Sequence, residues 1–435
     1  MSTTSSNVTS GFIDLATFDE LEKYMYGGQD ATAYFVRETR KATWFTQVPV
    51  VLSRAAGSPA FDTEWSVSIS RAGDYLLNTW LRVTVPKISV TAVSGPSGPP
   101  KCRWTRNLMH NLIKEATITF NDLVAARFDN YHLDFWSAFT VPASKRRGYD
   151  DMIGNQGLQI LKDNHVATTL NLPLPFFFCR DSGVALPTAA LPYNDMRLNF
   201  SFRKFEELAI FHNNVSGPPV TASDTNILGN RNFPLAHVWA NYAIVSNDER
   251  KRMACAPRDI LIEQVQTAPR YTFSPATNPS YDIRFSHAIK ALFFSVRNTR
   301  YPAEWSNYTD RPLVTNLTET KPDPASKNTI KEISLVYENT NRLTSMGSDY
   351  FSLVNPYYHA PAIPTETGYH MYSYSLDFYS LDPMGSTNYG KLTNVSIQPV
   401  ANDNIQQTAN YEFIVTAVNN NVVRISGGAL GFPVL

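Results

Sequence analysis

Ile113-Lys114-Glu115-Ala116-Thr117-Ile118-Thr119-Phe120-Asn121-Asp122 is answered further along the chain by Ile330-Lys331-Glu332-Ile333-Ser334-Leu335-Val336-Tyr337-Glu338-Asn339. The displacement, 330 − 113 = 217 residues, is close to half of the 435-residue chain. Ile-Lys-Glu is identical, and most later positions keep their character: Thr/Ser, Ile/Leu, Phe/Tyr. Apolar groups alternate in both copies, at Ala116, Ile118 and Phe120, then at Ile333, Leu335 and Tyr337. A period of two is that of a strand with one buried face. Solenoid units repeat every ~20–50 residues, so a repeat of this length is a whole domain. The chain reads as one β-domain written twice.

The flanks agree. Tyr75–Val85 precedes the first copy and Ala288–Val296 the second, and both are rich in β-branched and aromatic residues. Each is followed by a turn-rich insertion. The first, 87–112, runs through Ser94-Gly95-Pro96-Ser97-Gly98-Pro99-Pro100; the second, 298–329, holds Asn307, Pro312, Pro322 and Pro324. Equivalent places in the repeat predict that both insertions project from the same end of their domains.

Two domains of about 200 residues suit a chain of this length. Hydrophobic residues at 43% suffice for packed cores, whereas charged residues at 17% fall below the ~25% of an average soluble domain. Lys+Arg and Asp+Glu balance at 38 each. Such a surface is a poor partner for nucleic acid, which needs clustered cations to release counterions. It suits contact between copies, because few charges must be desolvated. Cys102, Cys179 and Cys255 are too few and too far apart for a disulfide framework or a zinc site, and free thiols are expected. Met1-Ser2-Thr3-Thr4-Ser5-Ser6 carries no basic-then-apolar signal, and no apolar run approaches the ~18 residues of a membrane span. Synthesis in the cytosol is expected. There, the Asn-x-Ser/Thr triplets at Asn7, Asn214, Asn307, Asn316 and Asn394 are read as coincidental.

The predicted organisation is an N-terminal arm over 1–33, a first β-domain over 34–205, a linker over 206–234 and a second β-domain over 235–435. The arm is read as a polar tail followed by one helix. Thr17 and Glu20 form its capping box, Leu21, Tyr24 and Met25 its stripe, and Gly27-Gly28 its end. Asp122–Phe139, with Leu123, Ala126, Leu133 and Trp136, suggests inserted helical turns. Leu170–Phe178 is too proline-broken for a helix and reads as an edge or bent strand. Expected strands of the second unit include Leu261–Gln266, Ile283–Val296, Tyr369–Leu376 and Tyr411–Val418, with Val422–Ile425 near the end. Many short strands punctuated by Gly and Pro predict an all-β chain of two tandem β-sandwiches with short inserted helices and a helical arm, and jelly rolls are the sandwich whose long loops gather at one end.

Chemistry-bearing patterns are scarce. There is no phosphate-cradling Gly-Lys-Ser/Thr loop, no Gly-x-Ser-x-Gly elbow and no His-Glu-x-x-His. His110, His132, His237, His287, His359 and His370 are dispersed and read as structural. Lys145-Arg146-Arg147 and Arg250-Lys251-Arg252 read as solvated or salt-bridging segments, the latter neutralised in part by Asp248-Glu249. Phe176–Phe178 and Tyr357-Tyr358 read as core or interface packing. No catalytic, cofactor-binding or metal-ligating residue is assigned, and no enzyme is expected.

Leu172-Pro173-Leu174-Pro175-Phe176-Phe177-Phe178, Arg180-Asp181-Ser182-Gly183 and Ala185-Leu186-Pro187 resemble the major capsid protein family of iridoviruses and related large DNA viruses. So do Gly11–Thr17, Met25–Gly28, Arg284–Ala288, Gly385–Gly390 and Gly431-Phe432-Pro433. The likeness spreads from residue 11 to the C-terminus and is least in 87–101, 213–232 and 299–328. It implies a double jelly roll, two tandem eight-stranded jelly-roll β-sandwiches, and a homotrimer whose six sandwiches surround a pseudo-sixfold axis. Such capsomers would tile an icosahedral shell over an internal membrane. Neighbouring capsomers and minor capsid and cement proteins would be partners, with no direct genome contact and with assembly in the host cytoplasm. On this reading Asp122–Phe139 and the residues near Tyr350–Tyr358 bury seams between subunits, and the 87–112 and 298–329 loops form outer towers. Alternatives are a carbohydrate-binding or carbohydrate-cleaving jelly roll, and a minor or receptor-binding capsid component of the same fold.

Overall fold

The computed structural model describes residues 3–91, 100–213, 219–221, 227–230, 232–315, 320–322, 325, 327–403, 405 and 411–433. The chain divides into two compact units, Met1–Trp44 and Phe45–Leu435. In the first, helix α1 spans Thr3–Ala16 and occupies most of the stretch read as a tail. Val8, Phe12 and Leu15 recur at helical spacing and remain exposed. Thr17 is not the cap of the next turn. Its Oγ1 donates to the carbonyl of Asp14 at 2.6 Å, while the Asp19 carboxylate accepts from Leu21 N and starts the 3₁₀ turn Glu20–Glu22.

Among the described residues of the second unit, sixteen strands make up two sandwiches, and shorter strands such as Ser53–Gly57, which pairs with Glu64–Ser68, add to their edges. The first eight are β1 Phe45–Val51, β2 Glu64–Ser68, β3 Tyr75–Val85, β4 Ile113–Phe120, β5 Leu123–Phe128, β6 Thr168–Pro173, β7 Met196–Phe202 and β8 Leu235–Val245. The next eight are β9 Arg258–Thr267, β10 Tyr281–Asp282, β11 Ala288–Asn298, β12 Ile330–Tyr337, β13 Thr340–Gly347, β14 His370–Ser373, β15 Val395–Ala401 and β16 Tyr411–Ser426. The first set pairs as β1-β8-β3-β6 and β2-β7-β4-β5, the second as β9-β16-β11-β14 and β10-β15-β12-β13. Adding eight to each number of the first half gives the second, and each half is a jelly roll. The repeat that opened the sequence is β4 and β12. Each turns into its partner through two left-handed residues, Asn121 and Asp122 (φ 49° and 66°) or Glu338 and Asn339 (φ 47° and 63°). Paired positive φ angles match the right-handed twist of a hairpin.

Two apolar interiors follow from the alternation. Leu81, Val83 and Val85 of β3 enter the first cluster, and Leu292, Phe294 and Val296 of β11 enter the second. The first interior does not stop at its own sandwich. Ala291 and Phe293, on the opposite face of β11, belong to it together with Met371, Ile414 and Val418. The outer face of the β9-β16-β11-β14 sheet is therefore the floor of the junction between the halves.

Several boundaries differ from expectation. Leu123 and Ala126 lie on strand β5, because Asn121-Asp122 turns the chain back; the helix, α2, spans Asn130–Thr140, with the Asp129 carboxylate accepting from His132 N at 3.0 Å. A second helix, α3, follows at Ala143–Ile153. Leu235–Val245, assigned by sequence to the second unit, pairs with β1 and β3 and turns Val238, Ala240 and Tyr242 into the first core. Within the presumed linker 206–234, Ala209–His212 pairs with Lys101–Trp104 and Ile227–Gly229 with Ile88–Val90, so those parts belong to the first half. Its residues 214–218, 222–226 and 231 lie outside the described ones. Val422–Ile425 is the continuation of the 16-residue β16 rather than a separate strand. Leu170–Pro173 lies on β6, at a sheet edge, as the prolines predict.

Candidate assembly surfaces

The two insertions meet. Lys101–Trp104 forms a short strand and Leu108–Leu112 a short helix, all but Lys101 buried. Arg103 Nη2 sits 2.7 Å from Glu304 Oε1, both side chains fully buried. Arg103 Nε also donates to His212 Nε2 at 3.1 Å. The second oxygen of Glu304 accepts from Asn307 Nδ2 at 2.9 Å and from Leu313 N at 3.2 Å. Burial pushes the Glu304 carboxyl up and the Arg103 guanidinium down, each opposed by the charge of the other. Thr105 Oγ1 donates to the Ala303 carbonyl at 2.9 Å. Trp305 Nε1 donates to the Glu207 carbonyl, and its ring lies between the Arg203 and Arg297 guanidiniums, 3.6 and 4.0 Å from their carbons.

Helix α2 is the second tie. Phe135 and Phe139 stack on Phe293, with ring centroids 6.0 and 5.5 Å away. Asp134, buried beneath them, accepts at Oδ1 from Asn107 Nδ2 (3.1 Å) and faces His110 Nδ1 (2.8 Å). Its Oδ2 accepts from Ser306 Oγ and Tyr308 OH, both at 2.8 Å. One carboxylate thus binds groups of both halves. Beside it, Arg180 stacks over Trp136 and Tyr379 and pairs with Glu263, which Lys290 also reaches. Asp122–Phe139 therefore turns its helix into the chain itself. Its exposed residues are Asp122, Leu123 and Val124 at the hairpin end and Arg127 on β5.

Elsewhere apolar surface lies open. The π-helical turn Tyr350–Val354 continues into helix α4, Asn355–His359, and Leu353, Val354, Tyr357 and Tyr358 on it are exposed. A cleft of about 630 Å³ runs alongside, lined in part by Val141, Ala143, Pro361, Ile363 and Tyr369. Its one carboxylate, Glu366, is paired with Arg106.

The chain is similar to known proteins over its whole length. Residues 33–245 match the family described as "Major capsid protein N-terminus", and residues 249–431 the family "Large eukaryotic DNA virus major capsid protein". The major capsid protein of Costelytra zealandica iridescent virus is 62% identical, with all of both chains covered. The chain belongs to the major capsid protein family of large eukaryotic DNA viruses. Two solved structures share the fold at low identity. The PBCV-1 virus capsid model gives a TM-score of 0.74 at 19% identity, covering 93% of this chain and 100% of that one. The Faustovirus major capsid protein gives 0.77 at 11%, covering 92% and 93%. At such identities the likeness concerns fold alone.

As a major capsid protein the chain forms the viral shell and is not an enzyme. It belongs to the virion capsid and assembles with copies of itself in a capsid lattice. Of the histidines read as structural, His110, His132 and His370 are buried, while His237 is exposed. His132 and His370 are held neutral by burial, their pKa values lowered to about 3 and about 4. Asn328 Nδ2 lies 2.8 Å from His370 Nε2. Arg146 pairs with Asp150 at 3.1 Å and Arg250 with Asp74 at 2.9 Å, which accounts for a member of each basic cluster. Burial pushes the Cys102 and Cys179 thiols up to about 12 and about 11. Among the described residues, no three of His, Cys, Asp and Glu are grouped to hold a metal ion, and no helix is long and apolar enough to cross a membrane. Asn307 is fully buried, its Nδ2 bonded to Glu304 and the Arg311 carbonyl, and is closed to glycan attachment. Asn7 and Asn394 are exposed, while Asn214 and Asn316 lie outside the described residues.

The tower expectation divides. The bases of the insertions, 102–112 and 303–310, are buried at the junction, whereas 92–99, 316–319, 323–324 and 326 lie outside the described residues. Arg103 and Glu304 were missed by sequence reasoning, since a charged residue in a turn-rich insertion carries no periodic signal of burial; Asp134 was missed because it stands on a helix buried almost all round, where a single acid does not mark the inward face.

Proposed function

We propose that three copies of this capsid protein form a pseudo-hexagonal capsomer, and that such capsomers tile an icosahedral shell. The first jelly roll would extend through Val245 and the second begin with β9. The observation that carries the reading is the identical strand order of the two halves, so that three chains supply six sandwiches of one architecture. Covalent fusion lowers the number of bodies to be assembled from six to three, and each avoided association spares part of the several-kcal/mol loss of translational and rotational freedom. Fusion also lets the halves diverge at their flanks. The towers would be built by the outer parts of the 87–112 and 298–329 insertions. Minor capsid and cement proteins and the internal membrane beneath the shell are the other contacts, and balanced charge speaks against direct genome binding. Assembly would take place in the host cytoplasm.

Light scattering of the purified protein tests this. A species near three times 48.8 kDa, with a hexagonal outline in negative stain, is expected. A monomer persisting at tens of micromolar would overturn it.

A further inference from the structure

Between its fifth and sixth strands each half inserts helix. In the first half the insertion holds α2 and α3, and α2 lies on the outer face of the second half's β9-β16-β11-β14 sheet. Its target is Phe293, the sixth residue of the eleven-residue β11. Phe293 stands in a cross-strand row with Thr416 and Met371. Its chain neighbours Leu292 and Phe294 face the second core instead.

The second half has the same parts with one left unused. Its insertion between β13 and β14 is Tyr350–His359, where Leu353, Val354, Tyr357 and Tyr358 are 53, 43, 69 and 71% exposed. The counterpart of the face that receives α2 is the outer face of the first half's β1-β8-β3-β6 sheet. Trp80 is the sixth residue of the eleven-residue β3, the place of Phe293 in β11. It stands in the row Val51–Trp239–Trp80–Pro173, one residue from each strand. Trp80 and Trp239 stack at 6.2 Å and 8°, both partly exposed, and Trp239 Nε1 has no hydrogen-bond partner. Val51 is 40% exposed.

We propose that Tyr350–His359 of one copy docks on the Val51–Trp239–Trp80–Pro173 row of a second copy, repeating between chains the contact that α2 makes within one. The proposal rests on the trimer reading and supplies its contact surface. Helix and row lie on different halves, so the contact is head-to-tail, and a head-to-tail contact forms a ring when its rotation closes. Closure at three chains would give six contacts of one kind, three inside chains and three between them. A second copy is the occupant because the row is the structural duplicate of a surface that this same chain already covers with a helix. Exposed apolar groups on both members fit partners that bury each other.

Two variants test it, each altering exposed or partly exposed side chains. Leu353→Asp/Tyr357→Asp disables the helix, and Val51→Asp/Trp80→Glu disables the row. Each is expected to keep the wild-type far-UV spectrum and to be monomeric by light scattering. Mixing the two leaves one intact helix and one intact row, so a 1:1 dimer is expected on mixing and in neither sample alone. Leu123→Asp, on the exposed hairpin end, should leave the oligomer unchanged. A wild-type trimer with both double variants still trimeric would overturn this contact while leaving the trimer intact. So would two folded monomers that fail to dimerise when mixed. A monomeric wild type would instead overturn the trimer. If the row variant loses its fold, Val51→Asp alone supplies the same readout.

Discussion

Arg103 Nη2 and Glu304 Oε1 are 2.7 Å apart, fully buried, and come from the corresponding insertions of the two halves. Two charges removed from water gain stability only while each has the other, because the desolvation cost of a lone buried ion exceeds what neighbouring dipoles return. The junction between the sandwiches thus depends on a pair whose members are 201 residues apart in sequence.

Removal of one partner should be costly. Glu304→Ala is expected to lower unfolding free energy by about 3–5 kcal/mol, since it strands the guanidinium. Arg103→Met/Glu304→Leu should lose less than Glu304→Ala alone. Urea unfolding of the three proteins checks the order; a double variant weaker than the single one would show that the pair is net stabilising.

Asp134 ties the halves through Ser306 and Tyr308. Tyr308→Phe removes one donor and leaves Ser306 Oγ on the same oxygen, so a loss of about 1–2 kcal/mol is expected. A double-mutant cycle with Asp134→Ala should give a coupling above roughly 0.5 kcal/mol, whereas additive losses would mean that the hydroxyl and carboxylate act independently.

Asp122 holds φ 66° in the β4–β5 turn. A β-branched residue there should cost about 1–2 kcal/mol, and glycine should be neutral or slightly stabilising. Thermal melts of Asp122→Val and Asp122→Gly test the sign of each.

Acid should weaken the fold through two histidines. In the unfolded chain they bind a proton near pH 6.5, whereas burial lowers His132 to about 3 and His370 to about 4. Because the folded values are depressed, their contribution is full above pH 6.5 and is lost as pH falls toward 4 and then 3. Comparison of unfolding at pH 7.5 and 4.5 should show a deficit of about 2.5 kcal/mol per histidine in the wild type. His132→Phe, which keeps a ring against Trp136, should reduce that deficit. An unchanged deficit would place the titration elsewhere.

Much of the architecture was legible because burial writes itself into strands as alternation. Ile118 and Leu335 announce their inward faces, and the 217-residue displacement survives even in the turn residues Asn121-Asp122 and Glu338-Asn339. Helical and strand readings diverged where the apolar spacing was ambiguous. Leu123 and Ala126 fit a helical stripe three residues apart, and only their pairing with β4 makes them strand. Leu235–Val245 carried the right pattern for a strand and no mark of which sandwich it joins.

Sequence alone determined that this chain is two sandwiches, since side-chain period and duplication are local, linear properties. Tertiary structure alone decided that α2 is consumed within the chain while Tyr350–His359 is left open, and that Arg103 meets Glu304. Contacts between residues hundreds of positions apart arise from the relative placement of whole sheets, and no run of neighbouring residues encodes that placement.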